Sequence, residues 1–194
     1  MSSENFTPEE SIRLIQNMIE KTRQRFSDQG HYFLLWGWCT FLALLGQFVL
    51  IYFFRSPYHY MVWLITFICL FVTIYWIIRE DRERKATTYL KESMRYLWTG
   101  LGVTFFIFCL LFIKVGWMNC YPFYITLYGV GTFVSGKILQ FKPFVWGGIV
   151  SWMLAAVAVW FHNDVQILFA AVSILVSYII PGHLLKLRYR SSRS

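Results

Sequence analysis

Six apolar runs fill the chain between residues 31 and 185, and their interiors carry almost no ionisable side chain. A helix needs about 20 such residues to cross the hydrocarbon core of a bilayer, and within that core every backbone N–H and C=O must be bonded inside the segment. An all-α, six-helix integral membrane bundle is therefore the expected fold class. The spans are expected near 31–54, 60–78, 98–113, 120–139, 144–161 and 165–185. Residues 1–29 form a cytoplasmic segment, 30–186 the membrane domain and 187–194 a basic cytoplasmic tail. The composition agrees: 57% hydrophobic and 14% charged residues, with mean hydropathy +0.50, is too apolar for an ordinary soluble domain.

Six crossings put both termini on one side, and the Lys/Arg distribution identifies it. One face collects Arg13, Lys21, Arg23 and Arg25, six basic residues between Arg79 and Arg95, Lys137 and Lys142, and four in the tail. The other face has only Arg55 and Lys114. Sixteen against two is a strong positive-inside pattern, so both ends are expected in the cytoplasm. The formal charge of +8 follows from this bias, and direct nucleic-acid binding is not expected. The first 29 residues are too polar to hold the apolar core of a signal peptide, leaving the first membrane helix to target the chain.

Little polar chemistry lies inside the spans. An ion-coupled carrier normally keeps Asp, Glu, His or Lys deep in its bundle at a cost of about 2.5–3.5 kcal/mol per charge, and none is found here. Gln47 is the most polar residue well inside a run and is expected to bond a neighbouring helix. The acids lie almost entirely at the cytoplasmic surface, away from the histidines, so no catalytic set, metal ligand set or cofactor is identified and a non-enzymatic role is expected. His59, His162 and Asp164 share the outer connections but show no metal-ligand spacing. Cys39, Cys69, Cys109 and Cys120 are scattered, and read as small packing residues without a disulfide.

Two groups of residues are expected to matter for assembly. Helices in lipid gain little by hiding apolar surface from one another, so close packing needs small residues that let backbones approach. Gly131, Ser135 and Gly136 in the fourth run, and Gly147, Gly148, Ser151 and Ala155 in the fifth, supply them; the connection Gln140-Phe141-Lys142-Pro143 makes the two helices antiparallel neighbours whose glycine faces are expected to meet. Ser173 and Ser177 in the sixth run add one further small face.

The second group lies before the first span. Thr7-Pro8-Glu9-Glu10 places a capping threonine, a proline at the first helical position and a glutamate three residues after the cap. Ile12, Ile15, Ile19 and Phe26, with Met18 beside them, then recur at helical spacing as one apolar stripe opposite Arg13, Glu20 and Arg23. Such a stripe must be buried against the bilayer surface, a second copy of the chain or a cytoplasmic regulatory protein, which makes it the expected partner-docking surface.

Several strings occur together: Glu10-Ser11-x-x-x-Ile15-x-x-Met18-Ile19, Thr22-Arg23, Leu35-Trp36-Gly37-Trp38, Gly131-Thr132-Phe133-x-x-Gly136-x-Ile138-x-x-Phe141-x-Pro143 and Gly147-Gly148. They resemble an uncharacterised family of roughly 200-residue multi-pass bacterial inner-membrane proteins, whose genes neighbour small winged-helix transcription regulators. The resemblance implies the same membrane fold and, by association, a regulatory role; it supplies no catalytic residues. The expected function is an interaction or regulatory protein acting through its cytoplasmic face. The alternative is a small carrier or channel component for an uncharged or lipophilic solute.

Overall fold

The computed structural model describes residues 30–83 and 89–191, together with Thr7, Ile12 and Arg13. Its elements are helical throughout: α1 (Gly30–Tyr52), a short 3-10 turn (His59–Trp63) running into α2 (Leu64–Glu83), α3 (Tyr89–Val115), α4 (Cys120–Ile138), α5 (Lys142–Ala158) and α6 (Asn163–Ile174). A π-turn (Leu175–Ile179) joins α6 to α7 (Ile180–Ser191), so the last three segments form one rod.

Four of these rods, Gly30–Tyr52, His59–Arg79, Glu92–Val115 and Asn163–Arg188, are long and apolar enough to cross a membrane. The sequence expectation counts six crossings, and the difference has a physical origin. α5 has only 17 residues, about 26 Å of helix. α4 has 19 but is rich in Tyr, Thr, Ser and Gly, residues that a hydropathy sum penalises. Those residues face protein: Tyr121, Gly129, Gly131, Thr132, Ser135 and Gly136 of α4 are all buried.

The glycines mark where backbones approach. A Cβ added at Gly148 of α5 would stand 2.7 Å from the Phe133 Cβ and 2.8 Å from the Gly129 carbonyl oxygen of α4. One at Gly136 would stand 2.6 Å from the Val145 backbone nitrogen. Gly147, on the adjoining face of α5, is turned toward the last rod, where its added Cβ would meet the Ser177 Cα at 2.8 Å. Gly37 of α1 meets the same rod from the other side, 3.0 Å from the Tyr178 Cβ. α1, α4, α5 and the α6–π–α7 rod thus form a close-packed core.

The turn between α4 and α5 fixes their antiparallel pairing. Gln140 adopts φ 50°, the Phe141 N–H donates to the Gly136 carbonyl at 2.9 Å, and the Gln140 N–H donates to the Lys137 carbonyl at 3.2 Å. This is a Schellman close, with a glutamine in the left-handed position that usually holds glycine. Phe141 is extended at φ −114°, and Pro143 then sits in the first turn of α5, where its missing N–H costs nothing.

α2 and α3 lie outside this core. Among described side chains, α2 buries only Cys69 and α3 only Met94 and Phe112. α3 is held by aromatic rings, Phe105 against Tyr124 at 4.7 Å and Phe112 against Phe123 at 5.6 Å. α2 is held by the Trp36 Nε1–H donating to Thr73 Oγ1 at 3.0 Å and by the Cys39 thiol directed at the Ile65 carbonyl at 3.6 Å.

The π-turn has a local cause. Pro181 has no N–H to donate to the carbonyl four residues back, and its ring crowds that carbonyl, so the preceding turn widens. The Ile180 N–H accordingly bonds the Leu175 carbonyl, five residues back.

Candidate functional site

The π-turn delivers Tyr178 to the centre of the bundle. Its ring is 2% exposed and lies 6.0 Å from Phe33, 6.1 Å from Trp98 and 5.5 Å from Tyr128, the last pair at right angles. Phe144, at 4.6 Å from Phe33, closes the cluster. Elements α1, α3, α4, α5 and the π-turn all contribute a ring to this one place. The Tyr178 hydroxyl sits beside Thr132 yet makes no hydrogen bond, and the fully buried Ser135 Oγ on α4 is also without a partner.

Around the cluster the other hydroxyls are used internally. Ser173 Oγ donates to Ser151 Oγ at 2.8 Å, Ser151 Oγ to the Gly147 carbonyl at 2.9 Å and Ser177 Oγ to the Ser173 carbonyl at 2.6 Å. Thr132 donates to the Tyr128 carbonyl at 2.7 Å. A hydroxyl that returns its proton to the carbonyl one turn earlier is satisfied without water, as a dry environment requires. The Ser173–Ser151 bond joins α6 to α5, the other two close within their own rods, and the three serines form a closed polar seam, each 0 to 1% exposed.

Two further polar groups lie toward the opposite end from residue 30. Gln47, 6% exposed, accepts the Trp63 indole N–H at 2.7 Å and meets His59 Nδ1 at 3.3 Å, tying α1 to the 3-10 turn. Gln166 donates to Asn119 Oδ1 at 2.7 Å and to the Phe161 carbonyl at 2.9 Å, tying the start of α6 to the start of α4. All four cysteines are free thiols. Among the described residues no three His, Cys, Asp or Glu side chains converge in a way that could hold a metal ion.

The residues singled out for packing are brought only partly together. Gly136 and Gly148 lie in the α4–α5 seam, Gly147 and Ser151 face the last rod, and Ala155 is buried at 4% exposure. Gly131 is turned toward α3, where an added Cβ would meet Leu101 Cδ1 at 2.7 Å and Trp98 Cη2 at 3.2 Å. The glycine that pairs with Gly136 on the α5 face is Gly129, seven residues earlier and so on the same side of the helix. Of the docking stripe, Ile12 is helical and 56% exposed, while Ile15, Met18, Ile19 and Phe26 fall outside the described residues.

Sequence reasoning passed over Tyr178, Gln166 and Gly129, and it noted Gly37 only within the Trp36-Gly37-Trp38 string, without a packing role. For Tyr178 the available signal was Pro181 three residues on, which marks where the helix must open. For Gln166 it was an amide inside an apolar run. No protein-family model, curated protein or solved structure matches this chain.

Proposed function

We propose that the chain is a non-enzymatic, multi-pass protein of the bacterial inner membrane that crosses six times with both termini in the cytoplasm. It works by interaction, holding a cytoplasmic regulatory protein or a second copy of itself at its cytoplasmic face. The observation that carries this reading is the closed seam of Ser151, Ser173 and Ser177, where a transport path between α4, α5 and α6 would need open hydroxyls. The positive-inside bias supports the orientation, and the 56% exposure of Ile12 leaves the one described position of the apolar stripe uncovered.

A photo-crosslinking residue placed at Ile12 in intact cells tests the reading. The expected result is a discrete protein adduct, either the chain itself or a cytoplasmic protein, that disappears when Ile15 and Ile19 are both changed to Ser. Adducts to lipid alone, or protein adducts indifferent to the double change, would refute it. A carrier for an uncharged or lipophilic solute is the second reading, favoured by the two unpartnered hydroxyls of Ser135 and Tyr178 in the centre of the bundle. It predicts that Ser135→Leu blocks solute entry into proteoliposomes while the crosslink at position 12 persists.

A further inference from the structure

Between α1 and α2 runs an open groove of about 430 Å³, distinct from the Tyr178 cluster. Its walls are Leu34, Leu35 and Cys39 from α1 and Ile65 and Cys69 from α2, apolar along their whole length. Its mouth is different in kind: His31, Trp76 and Lys186 gather there, with the His31 and Trp76 rings edge to face at 4.8 Å. Arg79 lies three residues beyond Trp76, on the same side of α2 and exposed.

The dimensions match one lipid leaflet. From His31 to Cys39 the groove follows α1 for about 12 Å, and from Trp76 to Ile65 it follows α2 for about 16 Å. Half of a hydrocarbon core of about 30 Å is about 15 Å. The mouth holds the residue types of a headgroup zone, a tryptophan and a cation, while the floor is purely apolar.

We propose that this groove binds one anionic phospholipid, an acyl chain lying on the Leu35, Cys39 and Cys69 floor and the phosphate held at Lys186. Charge complementarity selects the headgroup, because basic residues at the cytoplasmic end of a helix pair attract anionic lipid. α2 is attached to α1 by the Trp36 and Cys39 contacts and by the His31 and Tyr32 rings against Trp76 at 4.8 and 5.7 Å, and the groove between these contacts is the room that the lipid fills. The inference rests on the membrane reading above and adds a ligand to it.

The full chain, reconstituted in nanodiscs of equal phosphatidylglycerol and phosphatidylcholine and released for native mass spectrometry, provides the test. The wild type is expected to retain one phosphatidylglycerol with about fivefold preference, the factor that one lysine at a charged surface supplies. Lys186→Gln should retain lipid at near parity between the two headgroups. Cys69→Phe should retain neither, and Ile65→Phe fills the same space from a less buried position, so it gives the reading if Cys69→Phe unfolds. Equal retention of both lipids by the wild type, an unchanged preference in Lys186→Gln, or full retention in the folded groove-filling variant would each overturn the proposal. A chain that fails to enter nanodiscs removes the membrane reading as well. Loss of lipid preference with normal insertion and an intact crosslink at position 12 removes the lipid site alone.

Discussion

A methyl group added at Gly148 of α5 would stand 2.8 Å from the Gly129 carbonyl oxygen of α4, whereas the same addition at Gly100 or Gly102 of α3 meets nothing within 4 Å. Glycine thus does two unrelated things in one bundle. In the core rods it lets backbones touch, and the gain is dispersion between closely apposed surfaces. In α3 it is a small residue on a helix whose attachment comes from rings, Phe105 and Phe112 against Tyr124 and Phe123. α4 and α5 are locked at the backbone. α3 is held by side chains that can repack.

The sharpest way to break that contrast is a matched pair of substitutions. Gly148→Leu should lower stability by about 3 kcal/mol or more, because the neighbours are the backbone of Gly129 and Phe133 and cannot rotate away. Gly100→Leu should leave the melting temperature in detergent within error of wild type. Equal losses in the two variants would mean that the distinction between the halves is false.

A smaller effect sharpens the description of the core. Tyr178→Phe removes a buried hydroxyl that has no hydrogen-bond partner while keeping the ring among Phe33, Trp98 and Tyr128. Stability should be unchanged or rise by about 1 kcal/mol, since an unsatisfied group carries its full desolvation penalty. A loss of about 1 kcal/mol in the detergent melt would show that the hydroxyl is engaged after all.

The smallest effect concerns the turns. Gln140 at φ 50° closes the α4–α5 hairpin and Arg55 at φ 45° follows α1, both in the left-handed region. Gln140→Gly should relieve side-chain crowding and stabilise by about 0.5 kcal/mol, the relief partly offset by a more flexible unfolded chain. Arg55→Gly should do less, because the 3-10 turn that follows it is packed against α1 less tightly than α5 is against α4. A larger gain at Arg55 would reverse the ranking of the two hairpins.

Much of the helical framework was legible in the sequence, because apolar runs and the Pro143 and Gly punctuation are local signals. The boundaries of α1, α4 and α5 fall within a few residues of the runs. α3 begins earlier, at Tyr89, since the charged stretch before Trp98 is itself helix-compatible. The rotation of each helix about its axis was much less legible. Gly131 and Gly129 are two residues apart and so point to different neighbours, α3 and α5, and nothing in a single helix tells which neighbour stands on which side. Trp36, Trp98 and Trp146, near the starts of the first, third and fifth runs, likewise meet different surroundings. Trp36 bonds Thr73, Trp98 joins the Tyr178 cluster and Trp146 is 65% exposed.

The π-turn at Leu175–Ile179 also sets the phase of everything beyond it. Each residue of an α-helix advances the azimuth by about 100°, so one residue absorbed in a wider turn rotates α7 as a whole relative to α6. That offset lets Ser177 face Gly147 on one side while Leu185 reaches Gly30 and Lys186 reaches the groove mouth on another. The rod therefore behaves as two helices with independently chosen bearings, and the residue that sets the angle between them is the proline that follows.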